Sequence, residues 1–347
     1  MDTKLLIINK EQFGYLTDAY YWCKYLRDEY EISFICFDTG KKKIQLDGVK
    51  IHYIKYIGNK TFRGLLFIAI VLLNILFFNG KILVEYFEHC EILKKIFPWK
   101  KMIVDIRTLS VSENDDERNK RNSALVKSCR YFDKVTAISS GVKNKIDLDN
   151  VYILPLGADP ISVEKKDYSK LNLLYVGTFS GRQLEKTILG CDIFHKANPD
   201  VYFSYEIIGS GFNNEEKKLK KLVTDLKLGK YIIFRGKIPN VELKPYFDRN
   251  NFGISFIPIT DYYNYQPPTK TFEYALSGLF VIATATYANQ EVICHDNGIL
   301  INDTAESFAQ ALNQINQMTI NEDNVRKSMR HYSWKLIVEN TLKPILS

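Results

Sequence analysis

The sequence predicts an α/β protein made of two doubly wound halves, each a parallel sheet covered by helices on both faces. Three observations carry this. The chain has 347 residues, more than the roughly 250–300 that one hydrophobic core organises. Short apolar, β-branched runs alternate with helical stretches along its length. The charged stretch Glu164-Lys165-Lys166-Asp167 interrupts this rhythm once, and the rhythm then restarts.

In the first half the strand-like runs are Leu5–Ile8, Ile32–Phe37, Lys50–Tyr56, Ile82–Tyr86, Met102–Asp105, Lys134–Ile138 and Val151–Leu154. They are continuous rather than alternating, which marks strands buried on both faces of a parallel sheet. The second half repeats the pattern with Leu171–Val176, Phe203–Ile208, Tyr231–Arg235, Phe252–Ile257, Phe280–Ala283 and Gly298–Ile301. Helices are expected between them at Glu185–Ala197, Asn214–Leu226, Asn240–Asn250, Lys270–Ser277 and Ala305–Met318. A last helical stretch, Asn324 to Ile345, carries Tyr332, Trp334, Leu336, Ile337 and Val338 and is expected to cross back onto the first half. The expected domains are therefore residues 1–163 with 328–347, and residues 168–327. Open α/β sheets bind ligands at the carboxyl ends of their strands, so the active site is expected in a cleft between the two halves.

Composition narrows the function. With 46% hydrophobic and 25% charged residues the chain is ordinary globular protein. The cysteines, Cys23, Cys36, Cys90, Cys129, Cys191 and Cys294, form no C-x-x-C pair, so neither a zinc site nor a disulfide framework is indicated and a cytoplasmic setting fits. The apolar run Leu5–Ile8 is too short for a signal-peptide core and reads as a first strand behind Met1-Asp2-Thr3-Lys4. A net charge of +7, with patches at Lys41-Lys42-Lys43 and at Lys94-Lys95 with Lys100-Lys101, favours an anionic partner. Nucleic acid is not expected, because no helix-turn-helix, zinc finger or RNP-like pattern is present. A membrane surface or a phosphate-bearing substrate fits better. The apolar run Leu65–Phe78 is shorter than the ~20 residues a spanning helix needs. It fits either a helix in the plane of an anionic membrane or a buried helix between two strands, and burial is the expectation for most of it.

Three segments have the residue types for anion and nucleotide binding. The run from Leu174 to Arg182 takes a strand through Gly177 into a loop, with Arg182 and Lys186 near the mouth of the next helix. Helix N-termini favour anions, Arg adds a planar fork and Lys a point charge, so this is a diphosphate grip or else an ordinary turn with two solvated cations. Ile207-Ile208-Gly209-Ser210-Gly211 repeats the device, its glycines admitting close backbone approach to a ligand. The run from Tyr265 to Ala283 starts a helix at Pro267-Pro268-Thr269-Lys270 and ends it at Gly278. Thr269 is the expected N-cap, and Glu273 one turn on is placed to accept from ribose hydroxyls or to serve as a helix-dipole carboxylate.

Pro268-Thr269-Lys270 through Glu273-Tyr274, then Ser277-Gly278, Val281-Ile282-Ala283, Gln290-Glu291-Val292-Ile293 and Asn297-Gly298, resembles the donor-binding block of the family 4 retaining glycosyltransferases of GT-B fold. Tyr175-Val176-Gly177, Ile208-Gly209-Ser210-Gly211, Phe234-Arg235-Gly236, Ile138-Ser139-Ser140-Gly141-Val142 and Leu154-Pro155-Leu156-Gly157-Ala158-Asp159 agree in order, so the resemblance spans nearly the whole chain. It implies that Glu273 contacts the nucleotide ribose, that Thr269 and Lys270 border the donor, and that Arg182 and Lys186 neutralise the diphosphate. The family's first acid falls at Tyr265, so contact with the donor sugar passes to Gln266 or to backbone N–H groups.

The resemblance assigns the acceptor to the first half. Gln12-Phe13-Gly14-Tyr15 matches the family's glycine loop, with Gly14 toward the diphosphate and Tyr15 toward the acceptor. Asp105 of Asp105-Ile106-Arg107 is placed to orient or deprotonate an acceptor hydroxyl and Arg107 to hold an anionic group, or the two form a pair that fixes a loop. For retaining members it implies front-face attack without a protein nucleophile. No D-x-D motif stands in the usual place, which fits a metal-independent hexosyltransferase with no cofactor beyond its nucleotide-sugar substrate. The expected activity is transfer from a UDP- or GDP-sugar to a carbohydrate or polyprenol-linked glycan in surface polysaccharide assembly. A nucleotide-sugar epimerase and a non-catalytic nucleotide-sugar-binding protein are the alternatives on the same architecture.

Overall fold

The computed structural model describes residues 4–212 and 214–347; Met1–Thr3, ahead of the first strand, lie outside the described residues. The chain divides into two compact units, Met1–Leu156 with Trp334–Ser347, and Gly157–Ser333.

Unit 1 contains β1 (Lys4–Ile8), α1 (Thr17–Leu26), β2 (Glu31–Asp38), β3 (Val49–Lys55), α2 (Lys60–Phe77), β4 (Lys81–Glu85), α3 (Glu91–Ile96), β5 (Met102–Ile106), α4 (Asp115–Cys129), β6 (Lys134–Ala137), α5 (Ser140–Ile146) and β7 (Val151–Ile153). Its sheet runs β3-β2-β1-β4-β5-β6-β7, all parallel. Leu5, Leu6, Ile7 and Ile8 are almost wholly buried, as a continuous apolar strand in a two-sided sheet must be. Side-chain caps start α2, α4 and α5: Asn59 accepts from Phe62 N, Asn114 from Glu117 N and Ser139 from Val142 N. The final residues belong here because Trp334 stacks on Tyr21 at 5.5 Å and Lys134 Nζ donates to Ile345 O at 2.7 Å.

Two expectations about unit 1 are corrected. Burial of the Leu65–Phe78 run is limited to Phe67, Val71 and Ile75, because a helix laid on a sheet packs only one stripe of its surface. The basic patch around Lys94 and Lys100 is also smaller than the sequence suggests. Lys94 is buried, with Nζ donating to Pro98 O, Lys100 O and Asp133 Oδ2, and Lys100 Nζ donates to Phe78 O. Both cations tie loops down.

Unit 2 contains β8 (Leu171–Thr178), α6 (Glu185–Ala197), β9 (Phe203–Ser210), α7 (Glu215–Asp225), β10 (Ile232–Gly236), α8 (Lys244–Arg249), β11 (Phe252–Ser255), α9 (Thr269–Leu276), β12 (Phe280–Thr284), α10 (Tyr287–Gln290), β13 (Gly298–Ile301), α11 (Ala305–Ile315) and α12 (Glu322–Met329). The sheet order is β10-β9-β8-β11-β12-β13, again parallel. Gly157–Val163, which the sequence reading gave to the first half, sit in this unit. Ala158 N donates to Tyr332 O, while Ile161 N and Ser162 N donate to Ser277 Oγ. Residues 328–333 join it as well.

Candidate functional site

In both sheets the strand order reverses once, between β1 and β4 in unit 1 and between β8 and β11 in unit 2. Open α/β sheets bind ligands outside the carboxyl ends of the strands at such a reversal. In unit 2 that point is bordered by the loop after β8, the loop after β11 and the start of α9.

The loop after β8 turns through Gly181 and Gln183, both at positive φ. It holds Arg182 with its guanidinium over the Tyr263 ring, 4.5 Å from the centroid, while Nη1 is buried without a hydrogen-bond partner. A buried guanidinium nitrogen left unpaired costs free energy that an anion would recover. Lys186, in the first turn of α6, has its Nζ 3.9 Å from Asp303 Oδ2, and Asp303 also accepts from Ile259 N at 3.0 Å. The two cations named from the sequence thus lie at the β8–β11 reversal.

The glycines do a different task from the one expected. A Cβ on Gly209 would stand 1.7 Å from Gly177 O, and one on Gly211 would stand 2.3 Å from Glu215 Oε2. Gly209 serves close packing of the strand ends, while the near atom at Gly211 is the tip of the flexible Glu215 side chain. Glu215 completes the arrangement by accepting from Ser180 Oγ at 2.6 Å, and Ser180 Oγ accepts from Phe212 N at 2.9 Å. At Gly177 a Cβ would come within 3.0 Å of Tyr175 OH.

After β11 the chain makes a tyrosine-rich turn. Asn264 anchors it, its Oδ1 accepting from Tyr287 N and its O from Ala288 N. Tyr265, where an acid was expected on family grounds, packs 5.6 Å from the Tyr287 ring, and Gln266 Nε2 donates to Tyr262 O at 3.3 Å. Pro268, in extended conformation, is the N-cap of α9, so Thr269 is the first helical residue and makes no cap bond; this corrects the assignment of Thr269. Proline fixes φ and lacks the N–H, which suits it to this boundary. Gly278, at φ +80°, ends the helix.

Glu273 is 7% exposed, and its carboxylate accepts from Lys270 Nζ, which also reaches Asn240 Oδ1 at 3.3 Å. The helix is fixed beneath by groups the sequence reading did not single out. Val176 N donates to Tyr274 OH at 2.7 Å, and the Ser255 and Thr271 hydroxyls meet at 2.7 Å, with Thr271 Oγ1 donating on to Asn289 Oδ1. Small polar residues inside apolar runs were the available signal for this clamp.

In unit 1 the reversal lies between the ends of β1 and β4. Gly14, at φ +85°, lets the loop turn against Ile44, where a Cβ would approach to 2.5 Å. Gln12 is fully buried; Nε2 donates to Lys41 O and Oε1 accepts from Thr39 N and Oγ1. Tyr15 OH donates to Lys42 O at 3.0 Å under the Lys41 ammonium. Asp105 is 0% exposed, and its Oδ1 accepts from Thr136 Oγ1 at 2.5 Å. Arg107 is nearly as enclosed, with Nε 2.5 Å from Asp18 Oδ2 and 3.7 Å from Asp105 Oδ2, and Nη1 donating to Leu154 O at 2.8 Å. The buried pair, with Asp18, ties strand ends together, while Asp105 Oδ2 and Arg107 Nη2 are buried without a hydrogen-bond partner.

Burial pushes the Asp105 carboxyl up to about 6 despite Arg107. Burial, then the charges of Asp105 and Asp18, holds Glu85 well above the usual carboxylate range. Asn9 Nδ2 donates to Glu85 Oε2 across the reversal. Glu85 ends an apolar strand run with an acid, a signal the sequence reading passed over. Beside this network, at the ends of β4 and β5, is a cavity of about 510 Å³ whose lining includes Lys60, Tyr86, Ser110, Ser112, Arg121 and Asn122.

Residues 170–317, which span β8 to α11, match the family model described as glycosyl transferases group 1. No curated protein sequence matches the chain. Among solved structures, sucrose-phosphate synthase from Thermosynechococcus elongatus is similar with a TM-score of 0.77 at 15% identity, covering 99% of this chain and 98% of that one. HepE from Anabaena, solved with UDP and glucose, gives 0.74 at 14% identity with 99% of both chains covered. The lipopolysaccharide outer core galactosyltransferase WaaB, in its apo form, gives 0.71 at 15% with the same coverage. The fold is therefore GT-B, a glycosyltransferase architecture of two parallel-sheet α/β units.

Proposed function

We propose that the chain is a retaining, metal-independent glycosyltransferase that moves a hexosyl group from a nucleotide-diphosphate sugar to a carbohydrate or polyprenol-linked glycan. Its place is surface polysaccharide assembly at the cytoplasmic face of an anionic membrane. The observation that carries this is Arg182: a guanidinium stacked on Tyr263 with a buried, unpaired Nη1, beside Lys186, at the strand-order reversal of the unit that matches a glycosyltransferase family model. UDP and GDP are the candidate nucleotides, and the UDP complex of HepE supports the first.

In this reading Arg182 and Lys186 neutralise the donor diphosphate, and Glu273 exchanges Lys270 for the ribose hydroxyls. Gly177 and the chain at Gly209–Gly211 shape the floor. Tyr265 and Gln266 border the sugar, with Thr269 and Lys270 at the exposed start of α9. Gly14 and Tyr15 shape the loop after β1 of unit 1 on the acceptor side, while Asp105 and Arg107 act through the strand ends they position. The acceptor glycan takes the cavity, where Ser110, Ser112 and Asn122 supply partners for hydroxyls.

The chemistry needs no protein nucleophile. The bond between the sugar C1 and the β-phosphate oxygen breaks, the acceptor oxygen bonds to C1 on the same face, and the acceptor proton passes to the leaving diphosphate. Charge builds on that diphosphate, so the positioned cations contribute most to the rate. A thermal-shift series with UDP, GDP and their sugars tests the donor site. At about 100 times its dissociation constant a ligand stabilises by ~2.7 kcal/mol, and no shift with any nucleoside diphosphate refutes the reading.

A further inference from the structure

The outer face of α2 has no covering in the described structure. Phe62, Leu65, Ala69, Leu73 and Leu76 recur at three- and four-residue spacing and form one exposed stripe, opposite the buried stripe of Phe67, Val71 and Ile75. Leu65 is 64% exposed, Leu73 61% and Phe77, at the end of the helix, 84%. The 18 residues include no acid. Lys60 and Arg63 stand in the first turn, and exposed Lys101 follows Lys100, whose ammonium is bonded to Phe78 O just past the last turn. The same bond brings in the Phe97–Lys101 turn, with Trp99 69% exposed.

We propose that this face, with Trp99, seats unit 1 on an anionic lipid bilayer, α2 lying in the plane of the interface. The stripe is apolar from end to end, cations stand at both ends, and the helix itself carries no carboxylate, which is the pattern of a helix bound at the headgroup–acyl boundary. A protein partner would call for a polar, hydrogen-bonding rim around the apolar centre, and the outer stripe offers none. Crossing the bilayer is not open to the helix. Its 18 residues are long and apolar enough to span by length and composition alone, but Phe67, Val71 and Ile75 commit its other side to the sheet. Lys60 is both the first residue of α2 and part of the cavity lining, so a lipid-borne acceptor would be presented beside the seated helix. That consequence rests on the proposed glycosyltransferase reading; the seating itself does not.

Co-sedimentation with vesicles of phosphatidylcholine, with and without phosphatidylglycerol, tests it on the full chain. The native chain should partition onto the phosphatidylglycerol vesicles, more weakly onto phosphatidylcholine alone, and less as salt is raised. Leu73→Glu with Phe77→Glu should lower that partitioning by about tenfold or more, and Trp99→Ala by less, with the melting temperature kept because these side chains are exposed. Unchanged vesicle binding in the double variant overturns the proposal. So does a chain that ignores vesicles and forms a dimer which the double variant splits, since the occupant is then a second copy. A separate UDP melting shift reports on the donor site, so failure of one reading is not mistaken for failure of the other.

Discussion

Replacing Glu273 with glutamine removes one charge and little volume from a side chain that is 7% exposed. In the free protein the carboxylate is occupied by Lys270 Nζ in an i,i+3 pair. Such a pair offsets only about 0.5 kcal/mol of what a ligand gains by displacing it. A hydrogen bond to a charged acceptor contributes about 1.5–3 kcal/mol, and glutamine keeps one carbonyl for the second hydroxyl. The net loss is about 1–2.5 kcal/mol, or roughly 5- to 70-fold in dissociation constant. Calorimetric titration should be run with UDP, 2′-deoxy-UDP and 3′-deoxy-UDP on both proteins. If the carboxylate holds the ribose, the variant loses affinity for UDP and much less for the deoxy ligand whose hydroxyl it served, a coupling a double-mutant cycle reads directly. Equal losses for all three nucleotides, or none, would refute the assignment of Glu273.

Other outcomes follow from the same geometry. Arg182→Lys loses both the stack on Tyr263 and the planar fork, so affinity for UDP should fall by about tenfold or more, and affinity for UMP by less, in the same titration. Gly209→Ala sets a methyl 1.7 Å from Gly177 O at a positive φ and should destabilise by about 3 kcal/mol or more, read from the urea midpoint. Gly229→Ala, with nothing within 4 Å, should change stability by less than about 0.5 kcal/mol. Asp105 titrates at about 6 when folded, against an ordinary value of 3.8. Between those values the folded chain holds a proton that the unfolded chain has released. Its contribution is therefore fully present below about pH 4 and lost as pH rises through about 6, a change of about 3 kcal/mol. Asp105→Asn should flatten that part of the pH–stability curve and leave the remaining slope to Glu85. An unchanged curve would show that Asp105 is not the buried titrating group.

The strands were readable because the inner ones are short apolar runs buried on both faces, edge strands such as β3, β7 and β10 being only partly buried, and the sequence placed all the runs that became β1 to β13. Their order in the two sheets needed the coordinates. What the sequence left undecided was environment. Leu65–Phe78 is equally apolar whether it faces a core or a lipid, so its exposed stripe appeared only once Phe67, Val71 and Ile75 were seen to face the sheet. Asp105 and Arg107 look like reacting groups in a string of letters; enclosure beside Asp18 and Thr136 gives them a positioning role. Gly209 and Gly211 were read as room for a ligand, and the space they leave is filled by Gly177 O and Glu215. Arg182 was singled out by type and place, yet Tyr263, which orients it, lies 81 positions further along the chain and no local pattern joins the two.

The central claim is transfer of a sugar from a nucleotide diphosphate, with Arg182 and Lys186 stabilising the leaving group. It is tested most directly by incubating the full chain with UDP- and GDP-sugars and a polyprenol-linked lipid extract, then analysing every product by mass spectrometry. The account predicts free nucleoside diphosphate matched by an acceptor heavier by one hexosyl residue, with both products lost in Lys186→Ala. A nucleotide sugar isomerised without any acceptor, or equal transfer by Lys186→Ala and the native chain, would contradict it.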